Sequence, residues 1–310
     1  MSRPDSVLLI AFGGPEKPED IRPFLEIVTA GRRIPSDRID EVAHHYELMG
    51  GGSPLNELTF RQARALRTTL KRDGIGEPVF VGMRNWHPFF HETLAAMKET
   101  GHRRALGIIL SSFETEASWD RYSGDVTAAR EKVGAGAPEV MYAPAWSDHP
   151  RFIEAMVSRA GAALARIDPA RRAETSLVFT AHSVPLSMAE ASPYAAQFTA
   201  ASRAVASTLG QERWRVAYQS RSGSPREPWL EPDISDVIHD LAKEGVRDVV
   251  VVPIGFVCDH VEVLYDLDVE ARRAAGALGV TLHRAGAVND HPAFIGMLAD
   301  LVRRGPEGEA

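Results

Sequence analysis

Residues 248–270 read DVVVVPIGFVCDHVEVLYDLDVE. Apolar, β-branched residues on consecutive positions from Val249 predict a strand buried on both faces, which is how strands of a parallel sheet read. The strand runs through Pro253 and Gly255 into a helix loaded with acids. Glu262, Asp266 and Glu270 stand at i, i+4 and i+8, so on a helix they share one face, where like charges repel by a few tenths of a kcal/mol per pair. A solvated outer face tolerates that repulsion. A stripe that begins directly after a strand end carrying Asp259 and His260 also suits binding a divalent cation or passing protons.

Similar short apolar runs recur at 7–12, 79–83, 105–110, 140–143, 176–180 and 215–218. Between them lie segments with helical spacing, such as Leu66 with Leu70 and Val237 with Leu241. Alternating strand and helix implies an α/β protein with parallel sheets. The run ending in Ala11, Phe12, Gly13 and Gly14 opens the first half much as the run ending in Ala181, His182 and Ser183 opens the second. Two similar domains are therefore expected, 1–146 and 147–310, with a terminal helix over 292–304 packing back on the first. The length of 310 residues agrees, at about 150 per domain.

The formal net charge of −7 supplies no general attraction to nucleic acid or to an anionic membrane. Cys258 is the single cysteine, so an internal disulfide, a Cys-rich zinc site and an iron–sulfur cluster are all excluded, and a reducing compartment fits. The longest apolar stretch, 249–257, falls well short of the roughly 20 residues needed to cross a bilayer. A soluble, cytoplasmic protein is expected.

In open α/β sheets ligands bind beyond the carboxyl ends of the strands, which favours His182, Gln219, Ser220, Asp259, His260 and Glu262. A lone histidine is more often a hydrogen-bonding residue than a catalyst. A second cluster of histidine and carboxylates at a neighbouring strand end shifts that balance, because an imidazole there accepts protons near neutral pH or ligates iron. Gly50, Gly51 and Gly52 before Ser53 and Pro54 form a turn that brings backbone close to something. No GKS or GKT follows it and no GxGxxG stands after a strand, so no nucleotide site is expected. The MRNWHPFF stretch at 83–90 offers aromatic walls of the kind a flat apolar ligand needs.

Five segments resemble the ferrochelatase family in order and spacing over nearly the whole chain: IAFGGPEKPEDIRPFL (10–25), GGGSPLNELT (50–59), TAHSVP (180–185), YQSRSGSPREPWLEPD (218–233) and PIGFVCDHVEVLYDLD (253–268). The resemblance implies two similar Rossmann-like domains of the class II chelatase type, each a parallel four-stranded sheet flanked by helices, with a porphyrin cleft between them. It implies insertion of Fe²⁺ into a porphyrin with release of two protons. Iron is then a substrate, no resident cofactor is required, and a monomer without an integral membrane segment is expected. His182 and Glu262 match the iron-site histidine and its partner acid. Asp266 and Glu270 match the acidic path for metal or protons. Ser53, Tyr122 and Tyr46 match positions near the porphyrin propionates.

The polar stretch 31–40, with Arg32 and Arg33 available to pair with propionates, favours coproporphyrin III over protoporphyrin IX. Phe12 stands where the coproporphyrin branch often has a tyrosine, and Thr29 and His45 replace arginines of some relatives. SSFETEASWDRY (111–122) resembles a cluster-binding segment without its cysteines. A porphyrin carrier without turnover and a cobalt or nickel chelatase of similar fold are the alternatives.

Overall fold

The structure, a computed structural model, describes residues 3–31, 35–222 and 227–307. The chain divides into two compact units, one comprising Met1–Leu110, Ala117–Ala145 and Ile295–Ala310, the other Ser111–Glu116 and Trp146–Phe294. The boundary near residue 146 thus carries two transfers: a short segment before the π-helical turn Glu116–Asp120 counts with the second unit, and the chain from Ile295 onward with the first.

The first unit holds strands β1 (Ser6–Ala11), β2 (Val79–Met83), β3 (Arg104–Ile109) and β4 (Glu139–Tyr142) in one all-parallel sheet of order β2-β1-β3-β4. Its helices are α1 (Pro18–Thr29), α2 (Ser36–Leu48), α3 (Leu55–Arg72), α4 (Phe90–Glu99) and α5 (Arg121–Val133). Every residue of β1 is buried, as its unbroken apolar run requires of a central strand covered on both faces. Leu8 and Ile10 pack with Phe90, Leu94, Met97 and Val126 of the flanking helices.

The second unit repeats the plan with β5 (Ser176–His182), β6 (Trp214–Gln219), β7 (Asp248–Val252) and β8 (Thr281–Arg284), again all parallel, in the order β6-β5-β7-β8. Around it lie α6 (Pro150–Leu164), α7 (Leu186–Glu190), α8 (Tyr194–Thr208), α9 (Ile234–Lys243), α10 (Val261–Val263) and α11 (Arg272–Ala277). The helix α12 (Pro292–Arg304) follows β8. All five residues of β7 are buried, and Val249 and Val251 pack with Val237, Ile238 and Leu241 of α9. The edge strand β8 had no counterpart among the apolar runs, because polar residues flank its one apolar position, Leu282: Thr281 is exposed and His283 and Arg284 are half-buried.

What the glycine turn approaches is the loop after β1. The Ser53 amide donates to the Pro15 carbonyl at 2.7 Å, and the Gly51 amide to the Tyr46 carbonyl at 2.8 Å. A Cβ on Gly52 would sit 2.6 Å from the Glu16 carbonyl oxygen, so only glycine permits that approach. Asn56, fully buried in the first turn of α3, completes the join: its Oδ1 accepts from the Gly14 amide at 2.9 Å, and its Nδ2 donates to the Gly14 carbonyl at 2.9 Å and to Glu16 Oε1 at 3.0 Å. Asn56→Ala strips both backbone groups of Gly14 of their partner. Equilibrium urea unfolding is expected to show a loss of about 2–3 kcal/mol, since a buried unsatisfied polar group costs about 1–3 kcal/mol.

Candidate functional site

In the second unit, the ends of β5, β6 and β7 gather the polar residues. His182 closes β5 and stands in register with Gln219, the last residue of β6. Its Nδ1 is hydrogen-bonded to the Ser183 carbonyl. A carbonyl only accepts, so Nδ1 carries a proton, and Nε2 is the nitrogen left to face a ligand. The buried Tyr194 hydroxyl donates to the His182 carbonyl at 2.8 Å and fixes the strand end from behind.

Gly255 brings β7's exit against the same place. Its amide donates to the Thr180 carbonyl at 3.0 Å, and a Cβ there would lie 2.5 Å from the Ala181 Cβ, in the residue next to His182. Beyond it the chain turns through Asp259 and His260. Asp259 is not an open ligand. Its Oδ1 accepts from Arg284 Nη1 at 2.7 Å and from the Ala287 amide at 3.1 Å, while Oδ2 accepts from Asn289 Nδ2 at 2.7 Å. Its own amide donates back to Asn289 Oδ1 at 2.9 Å. This carboxylate anchors the turn that presents His260 and Glu262. Burial pushes the His260 imidazole below its ordinary range, opposed by the charge of Glu262, reinforced by His182 and opposed again by Asp259, so the three groups share one electrostatic neighbourhood with it.

The acidic helix departs from the expected regular pattern. After the single turn α10, residues Leu264–Ala271 form a π-helix, and α11 resumes the ordinary winding. Long π segments are rare and concentrate at functional sites. Glu262 and Glu270 are exposed and Asp266 between them is half-buried. Asp266 Oδ2 accepts from Ser220 Oγ and, at 3.2 Å, from Gln219 Nε2. Burial, with the charges of Glu262 and Glu270, pushes the Asp266 carboxyl up to about 7 against the pull of those two donors. A carboxyl there takes up and releases a proton at neutral pH.

The remaining candidates lie in the first unit. Phe12, just past β1 and 38% exposed, packs on Phe24 with ring centroids 6.4 Å apart. Tyr46 of α2 and Trp86 meet the same ring at 5.9 and 6.3 Å. Ser53 sits in the turn joined to Pro15. Tyr122 belongs to a different cluster: it is buried in the core against Phe90, at 6.4 Å, and burial raises its phenol far above the ordinary range, so the hydroxyl stays protonated. Arg32, with Arg33, lies outside the described residues. Among the described residues no group of three or more His, Cys, Asp or Glu side chains is arranged to hold a metal ion. Tyr194 escaped the sequence reading because its partner is a backbone carbonyl, which no residue pattern marks.

A family model described as Ferrochelatase matches residues 4–305. A protein of Rhodopirellula baltica named ferrochelatase is 42% identical over 301 residues, covering 96% of this chain and 85% of its own. A coproporphyrin III ferrochelatase of Mycolicibacterium smegmatis is 41% identical over 301 residues, covering 96% and 88%. The sirohydrochlorin chelatase SirB of Bacillus subtilis subspecies spizizenii, solved with cobalt, superimposes with a TM-score of 0.57 at 10% identity, covering 98% of this chain and 96% of that one, a likeness of fold.

The raised carboxyl of Asp266 makes a prediction about stability. The folded protein holds this proton to about pH 7 whereas an unfolded chain releases it near 4, so the folded state binds the extra proton between those values. Stability from this group is full below pH 4 and is lost as the pH rises through 7. Asp266→Asn is expected to flatten that decline and to be the more stable chain at pH 8, by an order of 2 kcal/mol after solvent screening, in urea melts across the range.

Proposed function

The chain belongs to the ferrochelatase family, and on that premise we propose that it inserts ferrous iron into coproporphyrin III, releasing two protons as the metalloporphyrin forms. The observation that carries the site assignment is the meeting of His182, His260, Glu262 and Asp266 at the carboxyl ends of β5, β6 and β7.

Metalation has two requirements. The macrocycle must be bent so that its nitrogen lone pairs leave the ring plane, which draws on binding energy from the rest of the porphyrin. Two protons must then leave the ring nitrogens, which needs a base within hydrogen-bond reach of them. His182 suits that role, since its Nδ1 is committed to the Ser183 carbonyl and Nε2 is the nitrogen left to face a ligand. Glu262 is the partner acid for iron. One imidazole and one carboxylate bind Fe²⁺ strongly enough to deliver it and weakly enough to release it, where a closed cage of four ligands would retain it. Asp266 and Glu270 continue the acidic face as the path for protons or metal, and the Asp266 carboxyl, poised near neutrality, suits proton transfer. Phe12, Tyr46 and Ser53 offer the aromatic faces and hydroxyls that suit a flat macrocycle bearing carboxylates, and Arg32 adds a charge for a propionate.

Coproporphyrin III is favoured by the names of the relatives and by the polar stretch 31–40. The reading includes no resident cofactor and no iron–sulfur cluster, supported by Cys258 being the single cysteine in the chain. It places a monomer in the cytoplasm, supported by that cysteine usage. Among the described residues no helix is long and apolar enough to cross a membrane.

Anaerobic incubation of the purified protein with Fe²⁺ and either porphyrin, followed by absorption spectroscopy, tests the assignment. Iron coproporphyrin is expected to appear faster than protohaem. Tight porphyrin binding without metalation of either would select a carrier, and preference for cobalt or nickel with a more carboxylated tetrapyrrole would select a different chelatase. His182→Ala is expected to lower turnover at least 100-fold, the usual contribution of a positioned base, with porphyrin binding by fluorescence quenching retained.

A further inference from the structure

Two side chains at the end of β6 have no part in the assignment above. Gln219 is 1% exposed, and its Oε1 is buried without a partner. Buried amides in native proteins are satisfied as a rule, and exceptions concentrate where function outweighs stability. Ser220, the next residue, has φ +60, a left-handed conformation that a residue with a side chain adopts at a cost and that clusters at functional sites. Both residues spend their donors on one atom: Gln219 Nε2 and Ser220 Oγ donate to Asp266 Oδ2, which leaves Oδ1 as the oxygen that neither touches.

We infer that Gln219 and Ser220 are positioning residues for Asp266, a clasp from β6 that fixes one carboxylate oxygen so that the other is presented for proton or metal transfer. The clasp rests on the ferrochelatase reading for its purpose, and on the hydrogen bonds and backbone for its existence. The strained turn is what aims Ser220 at the π-helix, and the unsatisfied Gln219 carbonyl is what the amide gives up to direct its Nε2 at the same oxygen. Gln219 is the register partner of His182 on β5, so the clasp lies on the strand directly beside the proposed base.

The charged groups acting on Asp266 are Glu262 and Glu270 of its own helical segment, both of which favour its protonated form, while β6 reaches it with neutral donors that favour the ionised form. Removing a donor therefore raises the carboxyl further above its present position.

Ser220→Gly is the discriminating variant. Glycine adopts φ +60 without penalty, so the fold holds its stability while the hydroxyl leaves. The expected result is a shift of the Asp266 titration to higher pH by about one unit, followed by carbon-13 NMR of the carboxyl with Asp266→Asn supplying the assignment. In anaerobic iron insertion, the acid limb of kcat is expected to move by the same amount, with KM for coproporphyrin III within twofold of the parent. Gln219→Leu is expected to move both readouts in the same direction by less. An unshifted carboxyl titration in Ser220→Gly overturns the clasp whether or not the protein turns over, as does a change confined to KM. A parent protein that metalates neither porphyrin overturns the functional reading instead, and the titration still decides the clasp.

Discussion

All four strands of the second sheet run the same way, so every strand-to-helix turn leaves from one edge, and that constraint makes neighbours of residues far apart in the chain. The ladder sets His182 opposite Gln219, and the Gly255 amide bound to the Thr180 carbonyl draws the exit of β7 to within van der Waals contact of the strand that carries His182. Once these contacts form, Asp259, His260 and Glu262 can emerge only beside that histidine. The anchoring of Asp259 by Arg284 and Asn289 then removes the remaining freedom of the turn. The site is a consequence of parallel pairing with one glycine-thin crossing, and its chemistry comes from which side chains the turns happen to carry.

The buried strands were legible because burial on both faces leaves a direct mark: consecutive apolar residues. The run from Val249 marks the central strand β7, and the run at 176–180 marks the central strand β5 up to the two residues, Ala181 and His182, that carry the strand into the site. The edge strand β8 was not legible for the converse reason. This strand is covered less completely than the others named, so Thr281, His283 and Arg284 replace the apolar alternatives, and four residues are too few for a period to emerge. The glycine turn was legible as a close approach, but not as an approach to Pro15 and Glu16, since the partners there are backbone atoms that any residue would supply.

At the site, His182 and Glu262 were singled out by the rule that ligands lie beyond the carboxyl ends of strands, and Asp266 by its i, i+4 spacing from Glu262. Their roles did not follow from either. Asp259 carries the same sign and stands in the same turn as Glu262, yet it is saturated by Arg284, Asn289 and the Ala287 amide. Only the tertiary arrangement separates an anchoring carboxylate from an available one, because the deciding partners lie 25 to 30 residues away in the chain. Tyr122 makes the same point for the aromatic residues: type and spacing place it in a motif, while its neutral phenol and its packing on Phe90 depend on how deeply α5 is seated.

The acidic stripe shows what distinguishes a site from a solvated face. Like charges one helical turn apart repel weakly in water, where screening reduces the interaction, and a surface helix carries them at little cost. Glu262 and Glu270 are exposed in that manner, but Asp266 between them is not, and its half-buried position puts the flanking repulsion in a medium that screens less. The expected outcome of burial beside like charge is a retained proton. Two neutral donors on Oδ2 oppose it and stop short of reversing it, which leaves the group balanced near 7. A stripe kept for solubility alone has no reason to bury its central member, to wind that member's segment as a π-helix, or to hold a serine in a left-handed turn beside it. Each of these features costs stability, and all three converge on one carboxyl group.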